Sequence, residues 1–229
     1  MRNLALMWVL AACLLGCGGK SDVKPAPPSV STFTDTRDGK VYNKVEIGTQ
    51  VWMAENLNYA VEGSKCLGEG GEVIIDWDEK ANPIKTKTLS NSEIQANCEK
   101  YGRLYTWNAA MTACPVGWYL PTNDEWQTLE DYAGGARTAG TKLKSSTGWE
   151  TYNGKPDNGT DEYGFSALPG DYGKGDGSFN GVGDGYWWSA TECDNHALFR
   201  MVRDVKHYFD TTYLLSVRCV QDDEKEKRK

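Results

Sequence analysis

Residues 102–129, GRLYTWNAAMTACPVGWYLPTNDEWQTL, compress two helix signals, a cysteine, a short apolar strand and three tryptophans into one segment. Trp107, Ala110, Met111 and Cys114 are spaced i, i+3, i+4, i+7, an apolar stripe on a short helix that Pro115 ends. Trp118 and Leu120 read as the inward side of a short strand. Thr122 and Glu125 satisfy the S/T-x-x-E capping box, in which each side chain bonds the other's orphan backbone N–H. Asp124 adds negative charge at the positive end of that helix dipole. Trp126, Leu129, Tyr132 and Ala133 then make its buried face, and Gly134-Gly135 terminates it. The rest of the chain has to cover this apolar hub.

The N-terminus is not part of that core. Arg2 is a positive n-region, residues 4–15 are an apolar run, and Leu14-Leu15-Gly16-Cys17 closes it. About 12 apolar residues are too few to span a ~30 Å bilayer core as a helix. They match the h-region of a signal peptide. The ending resembles a bacterial lipobox, cut before Cys17 with that cysteine then lipidated. Leu10-Ala11-Ala12-Cys13 fits the same pattern but leaves too short an h-region. Residues 1–16 are therefore read as a lipoprotein signal peptide and 17–32 as a lipidated flexible linker. The linker has too few large apolar groups to offset its ordering entropy. Multiple acyl chains on Cys17 would anchor the protein stably to a lipid bilayer without a spanning helix. No Asp follows Cys17 directly, so the expected location is the bacterial cell envelope, at the outer membrane, facing the periplasm or the surface.

Residues 33–222 suffice for one domain with a sizeable core, and 223–229 form a solvated charged tail. Losing Arg2 with the leader lowers 25 Lys plus Arg to 24, against 32 Asp plus Glu. An acidic chain with no basic cluster argues against nucleic acid as a partner. Seven cysteines are present. With Cys13 removed and Cys17 lipidated, Cys66, Cys98, Cys114, Cys193 and Cys219 remain. An odd count in an oxidising compartment gives two disulfides and one free thiol, without choosing the pairing. None of the spacings is that of a zinc site.

In chain order, residues 33–57 read as a β-meander. Asp38-Gly39 is a hairpin signal. Val41, Asn43, Val45 and Ile47 alternate with Tyr42, Lys44 and Glu46, and Gly48-Thr49 turns into a third strand at 51–53. Residues 66–98 enclose a polar excursion with a short strand at 72–77; bridging Cys66 to Cys98 would be worth about 4 kcal/mol by chain entropy. Ser90 and Glu93 form a second capping box, opening a helix with Ile94, Cys98 and Tyr101 on one face and Gly102 as its stop. Beyond Thr141, short strands are expected at 164–168, 186–191, 197–202 and 214–220. The loop 170–185 holds seven glycines and should expose much backbone. Of Trp187 and Trp188, on opposite faces of one strand, one should be core.

The order GRLYTWNAAM, CPVGWYLPTNDEW, GTKLKSSTGW, GTDEYGFSALPG, DGSFN, GYWWSATE and SVRCV, opened by DGKVYNKVEIGTQVWMAENLNY, resembles the FISUMP family (Fibrobacter succinogenes major paralogous domain) over nearly all of 33–220. The family is common in exported lipoproteins and is similar to the C-type-lectin-like fold. The resemblance implies an α+β architecture: two helices packed on small twisted antiparallel sheets, with long irregular C-terminal loops. It also implies a bridge from the end of the first helix to the last strand, here Cys114 to Cys219, worth about 5 kcal/mol by chain entropy. Cys66 and Cys98 match a second pair, although the family separates that pair by only a short loop. Cys193 is then the free thiol.

Residues suited to a sugar are loop aromatics with polar groups beside them. Trp149, Tyr152, Tyr172, Tyr186 and Trp187 are the aromatics, and Asp171, Asn180 and Asp184 the polar partners. These rings would equally serve as packing for a loop-rich core. A structural calcium ion would need converging oxygens; Asp171, Asp176, Asn180 and Asp184 share one loop, without the spacing or triplets of a known calcium site. No other cofactor is indicated, and neither His196 nor His207 has a nucleophile in a known elbow. The expected function is therefore a membrane-anchored binding or adhesion module, not an enzyme, with polysaccharide as the first ligand class. A protein–protein or envelope-assembly module is the rival. A formylglycine-generating-like oxidoreductase is the weaker alternative, because it needs a cysteine pair and only Cys193 remains free.

Overall fold

The computed structural model describes residues 29–80, 82–149, 151–152, 155–194, 196–201 and 207–222. The signal peptide, Cys17 and the charged tail lie outside the described residues. The chain opens with β1 (Val30–Thr34), β2 (Val41–Ile47), β3 (Gln50–Met53), β4 (Ser64–Lys65), β5 (Glu72–Trp77) and β6 (Pro83–Thr88). Then come α1 (Asn91–Tyr101), β7 (Leu104–Tyr105), α2 (Trp107–Ala113), β8 (Trp118–Tyr119), α3 (Asn123–Tyr132) and α4 (Ala139–Leu143). Next are β9 (Thr151–Tyr152), β10 (Lys155–Pro156), β11 (Phe179–Asn180), β12 (Tyr186–Cys193) and β13 (His196–Met201). The described chain closes with β14 (His207–Asp210), β15 (Leu215–Ser216) and β16 (Val220–Gln221).

The meander forms as its turn signals dictate, with Phe33 opposite Tyr42 and Val45 opposite Trp52. Its first strand starts at Val30, inside the stretch read as linker. The last strand, β16, lies between β3 and β8, so the first sheet runs β1-β2-β3-β16-β8. The second runs β14-β13-β12-β15-β7-β4 and the third β11-β5-β6. Two pairs, β12 with β15 and β11 with β5, are parallel, so the sheets are not uniformly antiparallel. The fold is mixed α+β, with four short helices among the described residues rather than two. The five residues of α4 are too few to show a periodicity in sequence.

Both capping boxes form. Thr122 Oγ1 accepts from Glu125 N (3.3 Å) while Glu125 Oε2 accepts from Thr122 N (2.7 Å), and Ser90 with Glu93 does the same. Among the described residues two disulfides close, Cys66–Cys98 and Cys114–Cys219; the second ties the end of α2 to the residue preceding β16.

Alternate residues of several strands serve two different cores, which is where simple alternation misled. Val45, Ile47, Trp52 and Trp187 pack with Trp126, Leu129, Trp149 and Phe165, whereas Tyr42, Met53 and Trp188 pack with Tyr105, Ala110 and Phe199. Tyr42 is therefore buried while Val41 is 56% exposed, and Trp187 and Trp188 are both core. Met111 and Tyr132, assigned to buried helix faces, are 45% and 55% exposed. Residues 164–168 do not form a strand. Asp161 holds Ser166 through its backbone N (2.7 Å) and Oγ (2.6 Å), and Ser166 takes a φ of 52°, which breaks extension. The strand β14 arises instead, paired to β13.

Candidate functional site

The loop of seven glycines is packed, not splayed. A Cβ on Gly185 would lie 2.2 Å from Trp187 Cη2, one on Gly173 3.0 Å from Leu214 and Phe179, and one on Gly181 2.8 Å from Ile74 O. Glycine is used here for close approach. That corrects the expectation of a loop with much exposed backbone.

Asp171 closes the loop. Its N donates to Asp184 O (2.8 Å), and Asp184 N donates back to Asp171 Oδ2 (3.2 Å). Asp171 Oδ1 also accepts from Asn180 Nδ2 (2.9 Å) and Tyr172 N (3.1 Å). The carboxyl is 2% exposed. Burial pushes its pKa up to about 7, opposed by the Asn180 and backbone hydrogen bonds and reinforced by the Asp184 charge. Asn180 Oδ1 is buried and accepts no hydrogen bond. Asp171, Asn180 and Asp184 are thus brought together as the sequence suggested. Their partners are N–H donors, however, which suit a carboxylate and not a bound cation. Among the described residues no group of three or more His, Cys, Asp or Glu is placed to hold a metal ion. The residues do not fit a calcium site.

The aromatics separate into two populations. Trp187 is 1% exposed and donates Nε1 to Asn56 Oδ1 (2.9 Å); Trp149 is 6% exposed and donates Nε1 to Ala167 O (3.0 Å). Both are core residues and leave the candidate ligand set. The Tyr152 side chain lies outside the described residues. Tyr172 and Tyr186 are half-buried and meet edge to face at 5.0 Å. Tyr172 also meets Phe209 at 5.4 Å and Tyr213 at 5.9 Å, while Phe209 stacks on Phe199 and on Tyr213, each at 4.3 Å. Burial pushes the Tyr172 phenol up to about 12, so it stays protonated and can both donate and accept.

Sequence reasoning missed Phe209 and Tyr213, because the β13–β14 pairing, Ala197 opposite Phe209, carries Phe209 to this face and the turn after β14, closed by Tyr213 N donating to Asp210 O (3.0 Å), brings Tyr213 beside it. The aromatic pair Tyr208-Phe209, with alternate side chains on opposite faces, was the available signal. A polar cleft lies elsewhere, lined by Lys40, Asn43, Glu55, Asn56, Lys100 and Asp161 among others; no aromatic ring lines it. His196 is exposed, and Cys193 is a free, exposed thiol at the end of β12.

Two disulfides, strands with a core on each face and a clasped glycine loop beside an aromatic cluster define a stapled α+β domain whose irregular half is built around that loop. A family model, the Fibrobacter succinogenes major domain, matches residues 45–221, and the chain belongs to that family. The match begins within β2 and takes in the loop, the cluster and all four bridged cysteines. No curated protein and no solved structure matches the chain.

Proposed function

We propose that this chain is an exported, lipid-anchored binding protein of the bacterial cell envelope that holds polysaccharide at the tyrosine cluster. One observation carries the reading: Tyr172, Tyr186, Phe209 and Tyr213, all half-buried, converge beside the Asp171–Asn180–Asp184 clasp. Partly open rings offer apolar faces to a sugar, and phenol and amide groups nearby offer donors and acceptors for its hydroxyls. The apolar leader ending at Cys17 supports lipid anchoring at the outer membrane. The bridge from the end of α2 to the last strand supports a C-type-lectin-like fold. Binding, not catalysis, suits a clasp whose polar groups are spent largely on one another.

The test is a glycan and plant-polysaccharide array probed with the oxidised, exported protein, with and without calcium. Binding that Tyr172→Ala and Tyr186→Ala abolish at unchanged thermal midpoint supports the reading. Silence in both arms sinks it, and capture of an envelope protein by the same face would then favour the protein–protein rival. Cys17→Ser should release the protein from membranes into the soluble fraction; a variant that stays with the membranes would refute the anchor.

A further inference from the structure

The hairpin of β5 and β6 carries apolar surface that no core uses. Val73 and Ile74 are buried, and Val73 packs with Leu67, Phe179 and Leu214. Ile75 and Ile84, by contrast, are 45% and 61% exposed. Ile75 and Trp77 line an open hollow with Ile74, Gly181 and Val182. Exposed apolar patches framed by polar residues mark contact surfaces.

This hollow and the tyrosine cluster share one loop. Lys174 lies two residues beyond Tyr172, and its Nζ sits 5.3 Å from the Trp77 ring centroid. Asn180 donates its N to Tyr172 O (2.9 Å) and pairs with Ile74 of the hairpin. A Cβ on Gly71 would lie 1.8 Å from Gly177 O, so hairpin and loop are in direct backbone contact. Tyr172 and Lys174, two residues apart, thus put the tyrosine cluster and the Trp77 hollow on one stretch of loop.

We infer that Trp77 and Lys174 form a subsite for a carboxylate-bearing sugar of a polysaccharide chain that also engages the tyrosine cluster. This rests on the reading of that cluster as a polysaccharide site. The Lys174 ammonium lies over one face of the indole; the other face takes the pyranose ring, and the ammonium pairs with a uronate carboxylate. Lys174 makes no salt bridge among the described residues. The neighbouring acids accept local hydrogen bonds, Asp76 from Trp77 N, Asp78 from Lys80 N and Asn82, and Asp176 from Ser178, although Asp176 also feels the Lys174 charge without a direct ion pair. The chain's net negative charge opposes a polyanion at long range, but charges beyond about 8 Å are largely screened at physiological ionic strength. The contact pair therefore decides. A chain spanning both surfaces also selects a polymer over a monosaccharide.

The experiment titrates the exported full chain with an oligogalacturonate, a neutral cello-oligosaccharide and galacturonate monomer. The oligogalacturonate should bind tightest, and Lys174→Gln and Trp77→Ala should each weaken it about tenfold with an unchanged thermal midpoint. Equal affinity for the neutral oligomer, or no effect of Lys174→Gln, overturns the inference. Tyr172→Ala separates the two readings. Neutral oligomers bound through Tyr172 but not Trp77 leave the cluster standing and remove this subsite. Acidic oligomers bound through Trp77 but not Tyr172 keep the subsite and remove the cluster and the shared chain. Binding of none refutes both.

Discussion

Asn56 Oδ1 accepts from both Nε (3.1 Å) and Nη2 (2.7 Å) of Arg218. The same oxygen takes the Trp187 indole N–H, and Asn56 Nδ2 donates to Tyr101 O (2.9 Å). Arg218 is 0% exposed and has no salt-bridge partner among the described residues; the Met53, Phe165 and Ser166 carbonyls accept its remaining bonds. Burial pushes its pKa down to about 9. Asn56→Ala removes one acceptor from three buried donors, each costing about 1–3 kcal/mol unpaired. The expected loss is about 3 kcal/mol or more, read as a shift in denaturant midpoint at constant slope. A loss under about 1 kcal/mol would show that Asn56 is not the hub of this network.

The two disulfides should contribute unequally. Cys114–Cys219 spans 105 residues and Cys66–Cys98 spans 32. Chain entropy assigns them about 5 and about 4 kcal/mol. Paired Cys→Ser variants compared by equilibrium unfolding should rank in that order. The Cys66–Cys98 pair should also raise hydrogen exchange selectively in β5 and β6, and uniform exchange across the fold would contradict a local staple.

Asp171 makes stability depend on pH in an unusual direction. Its folded-state pKa, about 7, lies above the ordinary 3.8, so the folded protein holds the proton more tightly than the unfolded chain. Its contribution is full below pH 3.8 and is lost as pH rises to about 7, a change of about 4 kcal/mol. Asp171→Asn should flatten that decline. Unfolding curves at pH 4.5 and 7.5 for both proteins provide the check, and identical pH slopes would exclude Asp171 as the source.

Gly71→Ala should separate hairpin from loop. The new methyl would meet Gly177 O, backbone that cannot rotate away. A cost of about 1–3 kcal/mol is expected, as for overpacking, with faster exchange at 171–184. Thr122→Ala, which removes only a cap, should cost about 1 kcal/mol and leave that loop unchanged.

The helix starts at Ser90 and Thr122 were legible because a cap is a local bargain between residues three apart. The turns around Gly39 and Gly48, both with positive φ, were legible for the same reason. The candidate site was half legible. Asp171, Tyr172, Asn180, Asp184 and Tyr186 do converge, but Trp149 and Trp187 belong to the core and Phe209 and Tyr213 to the cluster. Composition could not separate these aromatics, since a tryptophan two residues past a glycine reads alike whether it faces a core or a ligand.

The segment 102–129 thus determined by itself where two helices begin and where the chain turns between them. Only the tertiary structure decided which tryptophans are buried, because strands β2, β3 and β12 have cores on both faces. Burial at a given position depends on what a distant strand brings to the opposite side, and that information is not carried in the local alternation of residues.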